Sequence, residues 1–268
     1  TDVEKGSNVA AFPMPYFRYN KKLGSGESAT LIGPEAQHAK QSRRLRPEER
    51  IEVQDSTGAR FQAVVVSSVE RRSVRFRVES KLPVPPLSPL VLELLVALPK
   101  EKALDFVLQK STELGVSRLT LFPGKFSPKH TDSTKNRLQR WQRITEEACK
   151  QSGRQFPPQL QWRERLEDAV EKTAIPTQRW VLTPEAQRGL LTQGGSMMVP
   201  THQVLIGPEG GLHPDEVAWA RSRSFCEVAL GPRVLRTETA VLGVAAILQF
   251  LHGDLGFAGM TGNSPENS

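Results

Sequence analysis

The sequence predicts an α/β protein in two parts, a small β-rich N-terminal domain and a larger domain built on a mostly parallel sheet with helices over it. Three observations lead there. The segment KLPVPPLSP, Lys81 to Pro89, holds four prolines in nine residues, which forbids a helix and favours an extended linker. Before it, short runs alternate apolar and polar residues. After it, near-continuous apolar runs alternate with apolar residues at helical spacing, the pattern of a parallel sheet with helical cover. At roughly 150 residues per domain, a chain of 268 residues accommodates two. The expected division is therefore 1–80, a linker at 81–89, and 90–253, with residues 1–14 and 254–268 as flexible ends.

In the first part, Ile51 to Gln54, Phe61 to Val69 and Val74 to Glu79 read as strands, and Asp55-Ser56-Thr57-Gly58 as a turn. In the third strand Val74, Phe76 and Val78 alternate with Ser73, Arg75 and Arg77, which buries one face and charges the other. A small barrel or sandwich follows. In the second part, Leu90 to Leu98 is an apolar run suited to a strand buried on both faces. Leu104, Val107, Leu108 and Leu114 then recur at helical spacing, and Val116 to Phe122 returns to strand. Leu138, Trp141, Ile144, Ala148 and Cys149 mark an amphipathic helix. Further strands are expected at Arg179 to Leu182, Gln203 to Ile206 and Phe225 to Leu230. The last helix, Glu238 to Leu251, is apolar on nearly all sides, so a second subunit is expected to share its burial.

Composition narrows the function classes. Apolar residues make up 38% and charged residues 24%, which excludes wholesale disorder. No stretch reaches the ~20 apolar residues of a membrane span, and the longest candidate, Val241 to Leu251, carries Gln249. Thr1 to Ala11 has no basic-then-apolar signal pattern, so the cytoplasm is the expected location. Two cysteines, Cys149 and Cys226, make no disulfide framework and no zinc signature, and both read as inert thiols. The balance of 36 basic against 29 acidic residues gives +7, which favours a polyanionic partner, nucleic acid first.

Two glycine-bearing segments leave the carboxyl ends of expected strands, where open α/β sheets bind ligands. They are Ile206-Gly207-Pro208-Glu209-Gly210-Gly211-Leu212 and Leu230-Gly231-Pro232-Arg233-Val234-Leu235-Arg236-Thr237-Glu238-Thr239. Each alone reads equally well as a tight turn without a ligand. As a pair they point to one pocket. The phosphate-loop pattern GxxxxGK[ST] is absent, and Glu209 would repel phosphates, so an uncharged or cationic nucleoside fits better than a nucleotide.

These residues carry a resemblance. LVALPKEKALDFVLQKSTELGVSRLTLF (Leu95 to Phe122), EEACKQSGRQFPP (Glu146 to Pro158), LIGPEGGLHPDE (Leu205 to Glu216) and LGPRVLRTETAVL (Leu230 to Leu242) resemble the RsmE family of 16S ribosomal RNA uridine-N3 methyltransferases, in the SPOUT superfamily. The resemblance implies a C-terminal trefoil-knot domain, an N-terminal PUA-like β-barrel for RNA, a homodimer, and 16S rRNA of the small ribosomal subunit as partner. It also implies S-adenosyl-L-methionine in a pocket of three knot loops. Those loops match Leu182, Thr183 and Pro184; Ile206, Gly207, Glu209 and Gly210; and Leu230, Gly231, Val234, Leu235 and Thr239.

Uridine N3 keeps a proton and is a poor nucleophile until it is removed, so transfer needs a base or a cation facing the flanking carbonyl oxygens. Arg236 is the candidate for the cation, though it reads also as a phosphate or dimer contact, and Glu238 for accepting the proton or orienting Arg236. Glu238 reads also as an acidic residue complementing a helix dipole. The sulfonium brings its own electrophile, so no metal is required. For RNA, Arg43, Arg44 and Arg46 form a basic run following His38, and Arg75, Arg77, Lys125 and Arg154 are further phosphate candidates. His213 stands where a serine or threonine cap is usual, which predicts a weaker cap before Pro214. Two other readings remain at this level, a SPOUT ribose 2′-O methyltransferase and a non-catalytic RNA-binding or assembly factor.

Overall fold

A computed structural model describes residues 16–41, 44–67, 73–84, 86–129, 134–170, 175–190 and 199–256. The chain divides into two units between Val84 and Pro85. Of the ends expected to be flexible, 1–14 and 254–268, only residues 254–256 are among the described residues.

The first unit contains β1 (Tyr16–Arg18), β2 (Ser28–Ile32), α1 (Gly33–Gln41), β3 (Arg50–Gln54), β4 (Arg60–Ser67) and β5 (Ser73–Leu82). The strands form one sheet in the order β1-β3-β4-β5-β2, antiparallel except for the β1–β3 pair. Alternation decides its faces: Val74, Phe76 and Val78 are buried while Arg75 and Arg77 point to solvent. The buried face packs with Phe17, Leu31, Ile51, Val53 and Val65 and with Ala36 and Ala39 of α1. The turn after β3 is held by Asp55, whose Oδ1 accepts from Thr57 N at 2.8 Å and Ala59 N at 3.1 Å, and whose Oδ2 accepts from Leu23 N at 3.0 Å. Burial works to raise the Asp55 pKa, but the hydrogen bonds together hold it below the usual carboxylate value.

Sequence periodicity did not announce β1, β2 or α1, since each is short and, among its described side chains, α1 buries two alanines. The expected linker is also shortened. Lys81 and Leu82 belong to β5, because pairing with β4 continues through Phe61↔Lys81 and Arg60↔Leu82 before Pro83 ends it.

The second unit contains β6 (Val91–Ala97), α2 (Glu101–Glu113), β7 (Arg118–Phe122), α3 (Thr134–Gln151), β8 (Gln159–Trp162), β9 (Thr177–Leu182), β10 (Thr201–Ile206), α4 (Pro214–Ser222), β11 (Cys226–Val228) and α5 (Thr237–His252). All six strands are parallel, in the order β11-β9-β10-β6-β7-β8. Successive side chains go to opposite faces. Leu92, Leu94, Val96, Val204 and Ile206 meet α2, α3 and α5, whereas Leu95, Ala97, Val181 and Leu205 meet α4 and the 3₁₀ turn Leu166–Asp168. Strand β8 was not expected, and the strand expected at Phe225 to Leu230 shrinks to three residues.

The apolar run of β6 contains one carboxylate, Glu93, buried at 7% exposure. A buried charge needs partners. Gln203 Nε2 donates to Glu93 Oε2 at 2.6 Å, Arg118 pairs with Oε1 at 3.1 Å, and Arg179 Nε donates to Gln203 Oε1 at 3.0 Å. This polar row crosses β9, β10, β6 and β7 through cross-strand neighbours. It lies in the amino-terminal half of β6 and β10, away from their carboxyl ends.

Candidate active site

Three segments leave the carboxyl ends of β9, β10 and β11 and are tied to one another. Thr183 N donates to Val228 O at 3.1 Å, and Ala229 N to Arg188 O at 2.9 Å, which joins the first loop to the third. Thr237 Oγ1, on a buried side chain, donates to Gly207 O at 3.2 Å, which joins the third to the second. The second loop closes on itself through Gly211 N to Pro208 O at 2.9 Å. A Cβ on Gly207 would stand 2.6 Å from the Gly211 carbonyl carbon and 2.8 Å from Leu212 N, so the turn closes only because Gly207 has none. Gly211 adopts φ +76° and Gly231 φ +84°.

Between these loops lies a cavity of about 330 Å³. Leu182, Thr183 and Pro184 line it from the first loop; Ile206, Gly207, Glu209 and Gly210 from the second; and Leu230, Gly231, Val234 and Leu235 from the third. Thr239, named with them from the sequence, does not line it and is exposed on the first turn of α5. Val217 of α4 and Ala240 of α5 line it as well, and nothing in the sequence distinguishes them from ordinary core positions.

Arg236 and Glu238 open onto a neighbouring hollow of about 740 Å³, whose other wall is the start of α2 with Lys100, Lys102, Ala103 and Phe106. Glu209 lines both spaces. Its Oε1 accepts the backbone N–H of Lys100 at 3.0 Å, so the glycine turn is fastened to the N-cap of α2. Arg236 is the N-cap of α5, with extended backbone and an exposed side chain that makes no cap bond. Lys100, Lys102 and Phe106 were not singled out in the sequence. Phe106 had a legible signal, since it is an aromatic residue off the buried stripe Leu104, Val107 and Leu108.

The second loop leads into α4 through a complete capping box. His213 Nδ1 accepts from Asp215 N at 3.2 Å and Glu216 Oε2 accepts from His213 N at 2.8 Å. The expectation of a weak cap is corrected, because an imidazole nitrogen serves as the acceptor that a hydroxyl supplies elsewhere. Glu216 Oε1 also accepts from Lys125 N at 3.0 Å.

The RNA candidates are dispersed. Arg44 and Arg46 are exposed in the first unit, as are Arg75 and Arg77 on β5; Arg43 lies outside the described residues. In the second unit Lys125 Nζ pairs with Asp215. That contact, as a hydrogen bond and a charge, holds the Asp215 carboxyl below its usual pKa. Arg154 is half-buried, and its NH1 donates to Thr112 O at 3.0 Å; desolvation lowers its pKa. It ties the end of α3 to α2. Cys149 Sγ donates to the Arg154 carbonyl at 3.1 Å. Among the described residues no cluster of three or more His, Cys, Asp or Glu stands in position to hold a metal, and no helix is long and apolar enough to cross a membrane.

A family model for the RNA methyltransferase domain matches residues 86–249. The chain belongs to this family. Its relatives include the ribosomal RNA small subunit methyltransferase E of Mycobacterium bovis, 32% identical over an aligned length of 237, with 84% of this chain and 88% of the relative covered. A solved methyltransferase E of this family from Neisseria gonorrhoeae, bound to S-adenosyl methionine, superposes with a TM-score of 0.80 at 30% identity, covering 90% of this chain and 99% of that one. A Legionella pneumophila structure described as a methyltransferase with the cofactor SAM reaches a TM-score of 0.83 at 28% identity, over 91% and 100% of the two chains.

Proposed function

We propose that this chain is an S-adenosyl-L-methionine-dependent methyltransferase that modifies N3 of a uridine in 16S rRNA of the small ribosomal subunit. The observation that carries the reading is the Thr237–Gly207 bond, which closes two glycine-bearing turns over one cavity. The cavity falls within the ~300–1,000 Å³ range of small-molecule sites. The tight turn that the missing Cβ at Gly207 allows forms one wall, while Leu182, Leu230 and Leu235 offer a flat adenosine apolar surfaces. The SAM-bound relatives support the same ligand.

When bound, the sulfonium offers a methyl group and leaves as a neutral thioether. The chain's own residues prepare the acceptor. Glu238 takes the N3 proton, and Arg236 holds the negative charge that spreads onto O2 and O4 with permanently charged donors. The N3 lone pair then forms the new N–C bond. No metal enters this scheme.

The remaining expectations follow from the family. We read the segment after β11 as the knotted element, because it is bonded to the β9–β10 loop on one side and to Gly207 on the other. The first unit serves as the PUA-like RNA module, with the run Arg43, Arg44, Arg46 and the pair Arg75, Arg77 facing phosphates. Homodimer formation through α5 would cover Phe250 and Leu251, which are 64% and 38% exposed. Action on ribosomal RNA fits the cytoplasm.

The test uses small subunits from a strain lacking the modification, labelled methyl donor and nucleoside mass spectrometry. N3-methyluridine is expected. A ribose 2′-O-methyl product, or binding without transfer, would favour the rival readings.

A further inference from the structure

We infer that the hollow between α2 and the start of α5 is the seat of the target nucleotide, with Phe106 as the stacking surface for an extruded uracil and Lys102 as an anchor for its phosphate. The inference rests on the methyltransferase reading and goes beyond it, because neither α2 residue belongs to the cofactor loops.

The position is the first argument. Glu209 lines both spaces, so the hollow adjoins the cavity proposed for the cofactor. That carboxylate is held in place by the Lys100 amide at 3.0 Å. Polarity is the second. Uracil presents acceptor, donor, acceptor along O2, N3–H and O4. The hollow answers with the cations Arg236, Lys100 and Lys102 and the carboxylates Glu238 and Glu209, the second of which already accepts the Lys100 amide. Cytosine, which has an amino donor at C4 and no proton on N3, would set its amino group against a cation and leave Glu238 without a donor. The same residues would thus select uridine over cytidine by leaving polar groups unpaired.

The third argument is Phe106 itself. It sits at 42% exposure on α2, outside the core clusters, beside the methyl of Ala103. Single-stranded RNA is commonly read by aromatic side chains on which unstacked bases lie, and an enzyme acting on N3 must take the base out of pairing to reach it. An aromatic ring and lysines at one opening fit an unpaired anionic nucleotide.

The experiment places 5-iodouridine at the target position of an RNA fragment, irradiates it with the full-length protein and maps the adduct by mass spectrometry. The expected adduct is on Phe106. In parallel, Phe106→Ala should raise the KM for RNA about tenfold or more while calorimetric affinity for S-adenosylmethionine stays unchanged, and Phe106→Tyr should restore the KM. Lys102→Gln should lower the salt dependence of RNA binding by about one phosphate contact. An adduct confined to other residues, or unchanged KM in Phe106→Ala, overturns the inference while leaving methyl transfer standing. A shift of Phe106→Ala from dimer to monomer in sedimentation would overturn it too, since a second copy would then occupy the face. A wild-type protein that methylates no uridine overturns the methyltransferase reading and this inference together.

Discussion

Thr237 donates its hydroxyl to the carbonyl of Gly207 at 3.2 Å, and this bond joins the start of α5 to the turn after β10. Thr237 is 3% exposed and Gly207 is buried as well, so losing the hydroxyl leaves a buried carbonyl short of a donor. Thr237→Val should lower stability by about 1–2 kcal/mol and weaken S-adenosylmethionine binding several-fold. Thermal unfolding and calorimetry read the two effects. Unchanged ligand affinity would show that the turns hold their shape without the bond.

The two kinds of glycine separate by substitution. Gly207→Ala sets a Cβ 2.6 Å from backbone carbon and must reshape the cavity wall. Gly26→Ala meets nothing within 4 Å and suffers only the cost of its φ of +78°, about 1 kcal/mol. Gly207→Ala should abolish ligand binding, whereas Gly26→Ala should lower the melting temperature by a few degrees and leave binding intact.

Arg236 opens onto the α2 hollow and is not among the residues lining the cofactor cavity. Arg236→Ala should therefore keep S-adenosylmethionine affinity within several-fold while lowering turnover by ~10²-fold or more. Single-turnover methylation at saturating ligand checks it. Equal turnover in the variant would remove Arg236 from the mechanism.

His202 gives a pH dependence to stability. Burial, aided by the neighbouring His252, pushes its pKa from 6.5 down to about 4. The Trp180 indole N–H donates to its Nδ1 at 3.2 Å. The unfolded chain binds the proton more readily, so this contribution is complete above pH 6.5 and is lost as pH falls toward 4, by on the order of 3 kcal/mol. Denaturant unfolding of His202→Gln should show a shallower decline across that window. An identical slope would assign the acid sensitivity to other groups.

Much of the second unit was legible because its strands are long apolar runs and its helices carry wide apolar stripes. Strand β8 was not, since Gln159 and Gln161 alternate with half-buried neighbours at the sheet's edge. Glu93 interrupts the run read as near-continuously apolar, and its partner Gln203 lies 110 residues away, a pairing only the parallel register reveals. The two glycine-bearing turns stood out in the sequence only as a pair, because glycine and proline at a single strand end serve a tight turn equally well. Phe106 and Lys102 could not be assigned, because their meaning depends on α2 lying across from Arg236 and Glu238. His213 was underrated for a local reason, as its ring nitrogen caps α4 in a geometry that residue-type preference does not foresee.

Calorimetric titration of the wild-type protein with S-adenosylmethionine, paired with Gly207→Ala, is the sharpest trial of the three-loop cavity. Saturable binding of one molecule per chain, with thermal stabilisation of about 3 kcal/mol at a hundredfold excess over Kd, is predicted for the wild type, and neither effect for the variant. Absence of both heat and stabilisation at millimolar ligand, or equal binding by the variant, would contradict the account.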